Sequence, residues 1–425
     1  MKLSKSLIAG SIALVIANSS FAVEQTDYDL FNKEFLEAVK IRDSGDVFAS
    51  IEMLEKLIAT QPQYKRPQLE LAVAYFRASL FSDAKANAKA VLDDPKTPDS
   101  VKETIQIFLS QVEDTEAATD ENRSTFEGSI GIGIGKDTNV NASPADNLVT
   151  INGIQFTLNS NSVAQEDNYG TIHAQVTHSY RIPGTVGIGS RPVQMNWNTT
   201  ADISRKAYQD LGDYNLDVLT LQTGLGLISQ TNWRAGINLR VDKVMLGSSD
   251  LALFKGINGN YTMIDGASEY TLTAEITDQD YLTSANESRE GTRIGVGAEM
   301  KHQFKPELLG SVGVNIASSD ARDDNKQYVS KAINTGLYYS VSPATLVYGE
   351  LGLTVTDYNG VEPVSGTDRN DRQTTGSLGA THNFTDGILQ DWTLNGKITR
   401  YNNDSDQDIY DYERTDANLE MTKRF

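Results

Sequence analysis

Between Trp233 and Val241 the chain alternates residue by residue. Trp233, Ala235, Ile237, Leu239 and Val241 are apolar; Arg234, Asn238 and Arg240 are polar or charged, and Gly236 lies among them. A period of two puts successive side chains on opposite faces of an extended strand. The alternation recurs from about residue 124 to the last residue with no helical pattern between copies. It gives fourteen segments, the first near 124–135 and the last near 413–425. Most run ten to fifteen residues, longer than the globular mean of about five or six and long enough for the roughly 9 to 11 residues that cross a bilayer at a tilt.

The connections alternate too. Tight turns are expected near 229, 265, 305, 342 and 385, and longer polar loops at 136–167, 204–213, 280–288, 319–326, 358–371 and 403–412. Short turns on one rim and long loops on the other are the habit of an outer-membrane barrel, and an even strand number returns both ends to the periplasmic side. Closure follows because hydrocarbon cannot satisfy the hydrogen bonds of an open sheet edge. The apolar set of "WRAGINLRV" then faces lipid, as do Tyr270, Leu272, Ala274 and Ile276, then Ile294, Val296, Ala298 and Met300, and in the last strand Ala417, Leu419, Met421 and Phe425. Arg414, Asp416, Asn418, Glu420 and Arg424 line the interior. A soluble sandwich also alternates, but it has little use for so many long strands.

Residues 23–113 carry the other period. In Leu69 to Pro95, Ala72, Tyr75, Phe76, Ala84, Ala88 and Leu92 return at helical spacing, with a break near Ser79 and Leu80. An earlier copy runs through Phe35, Ala38, Gly45, Ala49, Leu54 and Leu57 to Pro62. The two prolines lie 33 residues apart, close to the roughly 34-residue tetratricopeptide period, and the pair resembles that repeat; a plain helical hairpin bundle is the alternative. A further helix from Ser100 to Glu113 is expected to cap the stack. Residues 114–123 are acidic and aperiodic and read as a linker before the barrel at 124–425.

Residues 1–22 read as a signal peptide. Lys2 and Lys5 precede an apolar run from Leu7 to Ala17, and Ser20 and Ala22 suit a cleavage site. The run is short of the roughly 20 residues that span a bilayer as a helix. The 425 residues carry a formal charge of −20 and no cysteine. That balance argues against nucleic acid as a partner, and it removes disulfides, thiolate metal sites and cysteine nucleophiles.

Little else suggests chemistry, and no catalytic residue, metal site or cofactor is expected. His173 and His178 lie five apart, on opposite faces of one strand, and with His302 and His382 they form no helical metal pair. Asp404, Asp406 and Asp408 imitate the opening of a calcium loop, but Ile409 and Thr415 stand where its glycine and glutamate belong, so solvated loop acidity is expected.

One segment looks like a signature. In "GSIGIGIGKDTNVN" glycine alternates with isoleucine before an Asn-rich turn, and Gly133, Gly135, Asp137, Asn139, Val140 and Asn141 fit a pattern Gly-x-Gly-x-Asp-x-Asn-Val-Asn. With the helices, the acidic segment, the fourteen strands and the terminal Phe425, this chain resembles the surface lipoprotein assembly modifier family, the Slam translocators of type XI secretion. Lys136 departs from the pattern, where an aromatic or small residue is expected, and the helical region is shorter than in larger members. The resemblance implies an outer-membrane translocator that moves a periplasmic client, a surface lipoprotein or a secreted metal- or haem-acquisition protein, to the cell surface. Phe425 resembles the end signal read by the barrel assembly machinery. Client contact is expected on the helices around Tyr75 and Phe76, with the helical domain in the periplasm, and periplasmic chaperones and outer-membrane lipid as further partners. The alternatives are a substrate-specific porin or receptor, and a scaffold whose barrel only anchors the helices.

Overall fold

The computed structural model describes residues 25–425 except 45, 63, 122, 152, 189, 190, 230 and 231. The expected signal peptide lies outside the described residues. The chain divides into two compact units, one ending at Asn122 and the other beginning at Arg123.

Among the described residues the first unit has five helices: α1 (Gln25–Asp43), α2 (Val47–Thr60), α3 (Lys65–Arg77), α4 (Phe81–Leu92) and α5 (Asp99–Glu121). Asp46 caps α2 by accepting from the Ala49 N–H at 3.1 Å. The break between α3 and α4 falls where the sequence places it. Ser79 adopts a left-handed φ of 58°, and the Leu80 N–H reaches back to the Tyr75 carbonyl at 2.8 Å, a Schellman-type stop. Two cores form, one around Phe35, Ala38, Leu54, Leu57 and Ala74, the other around Ala72, Ala84, Ala88, Val91, Phe108 and Val112. Val91 is the buried end of the α4 stripe, and Leu92 is only partly covered. The alanines are fully enclosed; their small side chains let neighbouring helices pack closely.

The expected acidic linker is corrected by α5, which continues through 114–121. "EDTEAATDE" has no glycine or proline and several good helix formers. Lys85 on α4 also holds Glu116 at 2.6 Å. Acidity suggested solvated coil, but it was compatible with an exposed helical face.

The second unit is a closed antiparallel barrel of fourteen strands. They are β1 (Ser124–Asp137), β4 (Asp167–Ile188), β5 (Arg191–Tyr208), β6 (Leu216–Ser229), β7 (Trp233–Leu246), β8 (Ser249–Asp265) and β9 (Ser268–Tyr281), followed by β10 (Gly291–Lys305), β11 (Leu308–Ala321), β12 (Tyr328–Ser342), β13 (Thr345–Tyr358), β14 (Asn370–Asn383), β15 (Trp392–Ser405) and β16 (Tyr412–Arg424). Each pairs with its neighbour in sequence, and β1 closes the ring against β16 from Ser129↔Arg424 to Asp137↔Asp416. Phe425 extends that seam, its N–H and C=O exchanging bonds with Gly128 at 3.0 and 2.8 Å. A two-stranded hairpin, β2 (Leu148–Ile151) and β3 (Ile154–Thr157), sits in the first long connection, where sequence reasoning placed only loop.

The rims differ as expected, with two exceptions. On the short-turn rim the tight turn expected near 385 is instead an eight-residue connection, 384–391, with a 3-10 turn at Gly387–Leu389. Residues 247–248 join β7 to β8 on the long-loop rim, and Gly247 and Ser248 both have left-handed φ, 56° and 69°. This is the backbone a two-residue hairpin turn requires.

The expected facing holds. Ile237 and Leu239 are each 57% exposed, and Leu272, Ile294, Val296 and Leu419 also stand outside. Asn238 turns inward and bonds Asn258 at 3.0 Å. An apolar exterior this extensive is not sustained in water, so the barrel spans a membrane. Leu239→Arg is expected to lower stability in lipid vesicles by about 2–4 kcal/mol, as a cation does on the lipid face near the midplane. Asn238→Arg is expected to be tolerated. Equal losses on denaturant unfolding would contradict the register.

Candidate functional site

On β1 Ile130, Ile132 and Ile134 face lipid while Gly131, Gly133 and Gly135 face the lumen, which explains "GIGIG" physically. A Cβ on Gly133 would strike the Thr171 hydroxyl, and one on Gly135 would strike the Tyr169 ring. The bare backbone at Gly135 leaves room for Tyr169 of β4 to reach across β1 and donate its hydroxyl to Asp416 of β16 at 2.5 Å. Three consecutive strands are thus tied through their middle member.

Asp137, the last residue of β1, is the centre of that tie. Its side chain is fully enclosed. Arg414 of β16 binds it in a two-pronged contact, Nε to Oδ1 at 3.0 Å and Nη2 to Oδ2 at 2.5 Å. The Tyr208 hydroxyl donates to Oδ2 at 2.8 Å, Lys206 Nζ lies 3.2 Å from it, and the Asn139 N–H donates to Oδ1 at 3.1 Å. Lys206 also donates to Asp416 at 2.8 Å and rests over the Tyr169 ring at 3.8 Å. Two carboxylates face two cations, and the tyrosines supply further donors. The result is a neutral clasp across the β16–β1–β4–β5 wall, at the end bearing the long loops.

The rest of the signature folds the first long connection. Asn139 is almost fully buried; its amide donates to the carbonyls of Ser143 and Glu413 at 2.8 and 2.9 Å, and its Oδ1 accepts from the Ser143 N–H at 3.1 Å. Val140 is buried, with its N–H on the Gln165 carbonyl at 2.7 Å. Asn141 spans the loop, donating to Val163 O at 2.8 Å and accepting from Gln165 N–H at 3.1 Å. Lys136, the departure from the pattern, is exposed and pairs with Glu166 at 3.2 Å outside the clasp. The substitution therefore leaves the Asp137 network intact.

Tyr75 and Phe76 are not a free aromatic pair. Phe76 packs edge-on to Phe108, with ring centroids 5.7 Å apart, and against Phe81 at 6.2 Å. Tyr75 is partly buried and donates to Glu55; burial first, then that hydrogen bond and the negative charge, hold its phenol above its ordinary pKa. Helical spacing marked both positions correctly as face-forming, and that face turns largely inward.

Further along the wall, cations lie beside carboxylates: Arg234 and Glu269 at 2.7 Å, Arg240 and Asp242 at 2.7 Å, Arg293 and Glu275, Lys301 and Glu299 at 3.2 Å, Lys397 and Glu350 at 2.8 Å. Amides and hydroxyls fill space between them, as in Thr177 with Thr200 at 3.0 Å, Thr262 with Thr271 at 2.9 Å and Asn395 with Thr381 at 2.7 Å.

His173 faces inward, 3.6 Å from Glu420, and His178 faces outward, as the five-residue spacing requires. Asp406 and Asp408 are not merely solvated. Asp406 accepts from the Asn370 N–H at 3.0 Å and Asp408 from the Thr150 N–H at 2.8 Å, so they bind neighbouring loops together. Among the described residues no group of three or more His, Asp or Glu is placed to hold a metal ion.

Sequence reasoning found Asp137 but not its partners. Arg414 lies 277 positions away and Lys206 69. Alternation put Arg414 and Asp416 in the lumen, but no local signal says which inward residues meet once the ring closes.

No family model matches the chain, and no curated protein does. Among solved structures it is similar to OccAB4 of Acinetobacter baumannii, at 10% identity over 72% of this chain and 99% of that one, with a TM-score of 0.34. An outer membrane channel from Pseudomonas putida F1 is similar at 12% identity over 70% and 95%, TM-score 0.37. A Pseudomonas aeruginosa FadL homologue gives 10% over 71% and 90%, TM-score 0.35. Likeness at this level carries no argument about function, which rests on the residues of this chain.

Proposed function

We propose that the chain is an outer-membrane translocator that moves a periplasmic protein client, lipidated or soluble, to the cell surface. The observation that carries the reading is the lumen wall, in which opposite charges sit side by side among amides and hydroxyls. A polypeptide presents both charges and a hydrogen-bonding backbone, and such a wall solvates it without holding either sign. A pore selective for one charged solute is better served by a surplus of the opposite charge along its path. The barrel acts as a conduit, and the chain is not an enzyme.

The even strand number and the long-loop rim support placing the helical unit in the periplasm. The Slam resemblance of the Gly133 to Asn141 segment adds the client class: a surface lipoprotein or a secreted metal- or haem-acquisition protein. Periplasmic chaperones would deliver it, and client folding outside would draw the process forward. Insertion of the barrel would pass through the barrel assembly machinery, with Phe425 at the seam as the residue read.

The test compares cells with and without the gene, using a β-rich secreted or lipidated protein encoded beside it as client. Protease added to intact cells is expected to degrade that protein only when the chain is present. Unchanged client exposure, together with slower uptake of one small solute in the deletion strain, would replace the translocator with a substrate-specific porin.

A further inference from the structure

Three of the four histidines share one local arrangement on the outer face of the short-turn rim. Ser124, Ser268 and Thr345 are the first residues of β1, β9 and β13, and each hydroxyl bonds an imidazole on an adjacent strand: His178 at 2.6 Å, His302 at 2.8 Å and His382 at 2.9 Å. Each imidazole also lies against a phenylalanine. Phe126 stacks on His178 with centroids 4.5 Å apart, and Phe304 and Phe384 meet His302 and His382 edge-on at 4.7 Å. Phe126 and Phe304 are 71% and 59% exposed, so these stations stand in the lipid-facing surface.

The hydroxyl occupies one ring nitrogen, Nε2 in His178 and Nδ1 in His302 and His382. Among the described residues no protein group bonds the other. A polar nitrogen on the lipid face needs a partner, and at the end of a strand what lies alongside is the headgroup layer. We propose that His178, His302 and His382 bind the phosphate groups of phospholipids in the leaflet at this rim, with the phenylalanine rings set among the acyl chains.

The neighbours permit an anion. Ser124 and Phe126 on β1 and Thr199 on β5 face His178; Ser268 and Tyr270 on β9 and Gly310 on β11 face His302; Thr345 and Val347 on β13 and Leu394 on β15 face His382. Tyr180, two residues from His178 on the same face and paired with Ser124, completes that set. No carboxylate is among these neighbours, and Tyr180 and Tyr270 are the other titratable groups.

The experiment places the full-length protein in vesicles of phosphatidylglycerol or of a neutral glycolipid with the same acyl chains, and reads the midpoint of its heat-induced band shift. The wild type is expected to melt several degrees higher in the phospholipid. The gain shrinks in the triple variant His178→Gln, His302→Gln and His382→Gln, and by a part in each single variant. The single variants decide the matter if the triple variant does not fold. A gain retained in full by the folded triple or single variants, or no gain in phospholipid, would overturn the proposal. So would a gain restored in glycolipid vesicles by inorganic phosphate, since the site would then take the free anion.

Discussion

Replacing Asp137 with alanine is expected to destabilise the barrel by about 3–5 kcal/mol, the usual cost of removing one partner from a buried charge pair. The carboxylate is enclosed and accepts from Arg414, Tyr208, Lys206 and the Asn139 N–H at once. Its loss leaves Arg414 and Lys206 sharing Asp416, and it removes the anchor from which the first long loop begins. Removing both charges, Asp137→Asn with Arg414→Gln, is expected to cost less than the sum of the single changes, because neither charge is then left without its counterpart. Denaturant unfolding in lipid vesicles checks both statements. A variant as stable as the wild type, or strictly additive effects, would mean that the clasp is incidental to the closed seam.

The strands were legible because each carries its own record of facing: a period of two needs no partner to be read. All fourteen are present, and Ile237, Leu239, Leu272 and Leu419 face as expected. The β2–β3 hairpin escaped because "LVTI" and "IQFT" are too short to display a period. The helical end was misplaced because charge was weighed above helix propensity in 114–121. Client contact was expected around Phe76, but helical spacing identifies a face without saying what covers it, and at Phe76 the Phe108 ring does. The clasp was half legible. Glycines at 131, 133 and 135 say that this part of the lumen side of β1 is bare, but not that Tyr169 fills the space.

Removing the helical unit is expected to abolish client export while sparing the barrel. The deletion should follow the observed helices, residues 25–121, so that no part of α5 remains. The hydrogen-bonded ring closes wholly within residues 123–425, so the shortened chain is expected to reach the outer membrane and show the band shift of a folded barrel on heating. A paired-charge lumen offers solvation but little shape recognition, so selection is assigned to the helices. Client at the cell surface should then fall to the level of cells lacking the gene. Since Phe76 is committed to its own core, the exposed Leu36 of α1 and Ile107 of α5 are better starting points than Tyr75 and Phe76 for single substitutions.

The most direct measurement uses purified components. Full-length protein is placed in lipid vesicles with the helical unit outside, an orientation checked by digestion of that unit with added protease, and unfolded client is supplied outside with a periplasmic chaperone. Full-length protein is expected to yield client that is protected from protease until the vesicles are dissolved, and the form without residues 25–121 is expected to yield none. Full-length vesicles that release a trapped small sugar yet never protect client would contradict the account.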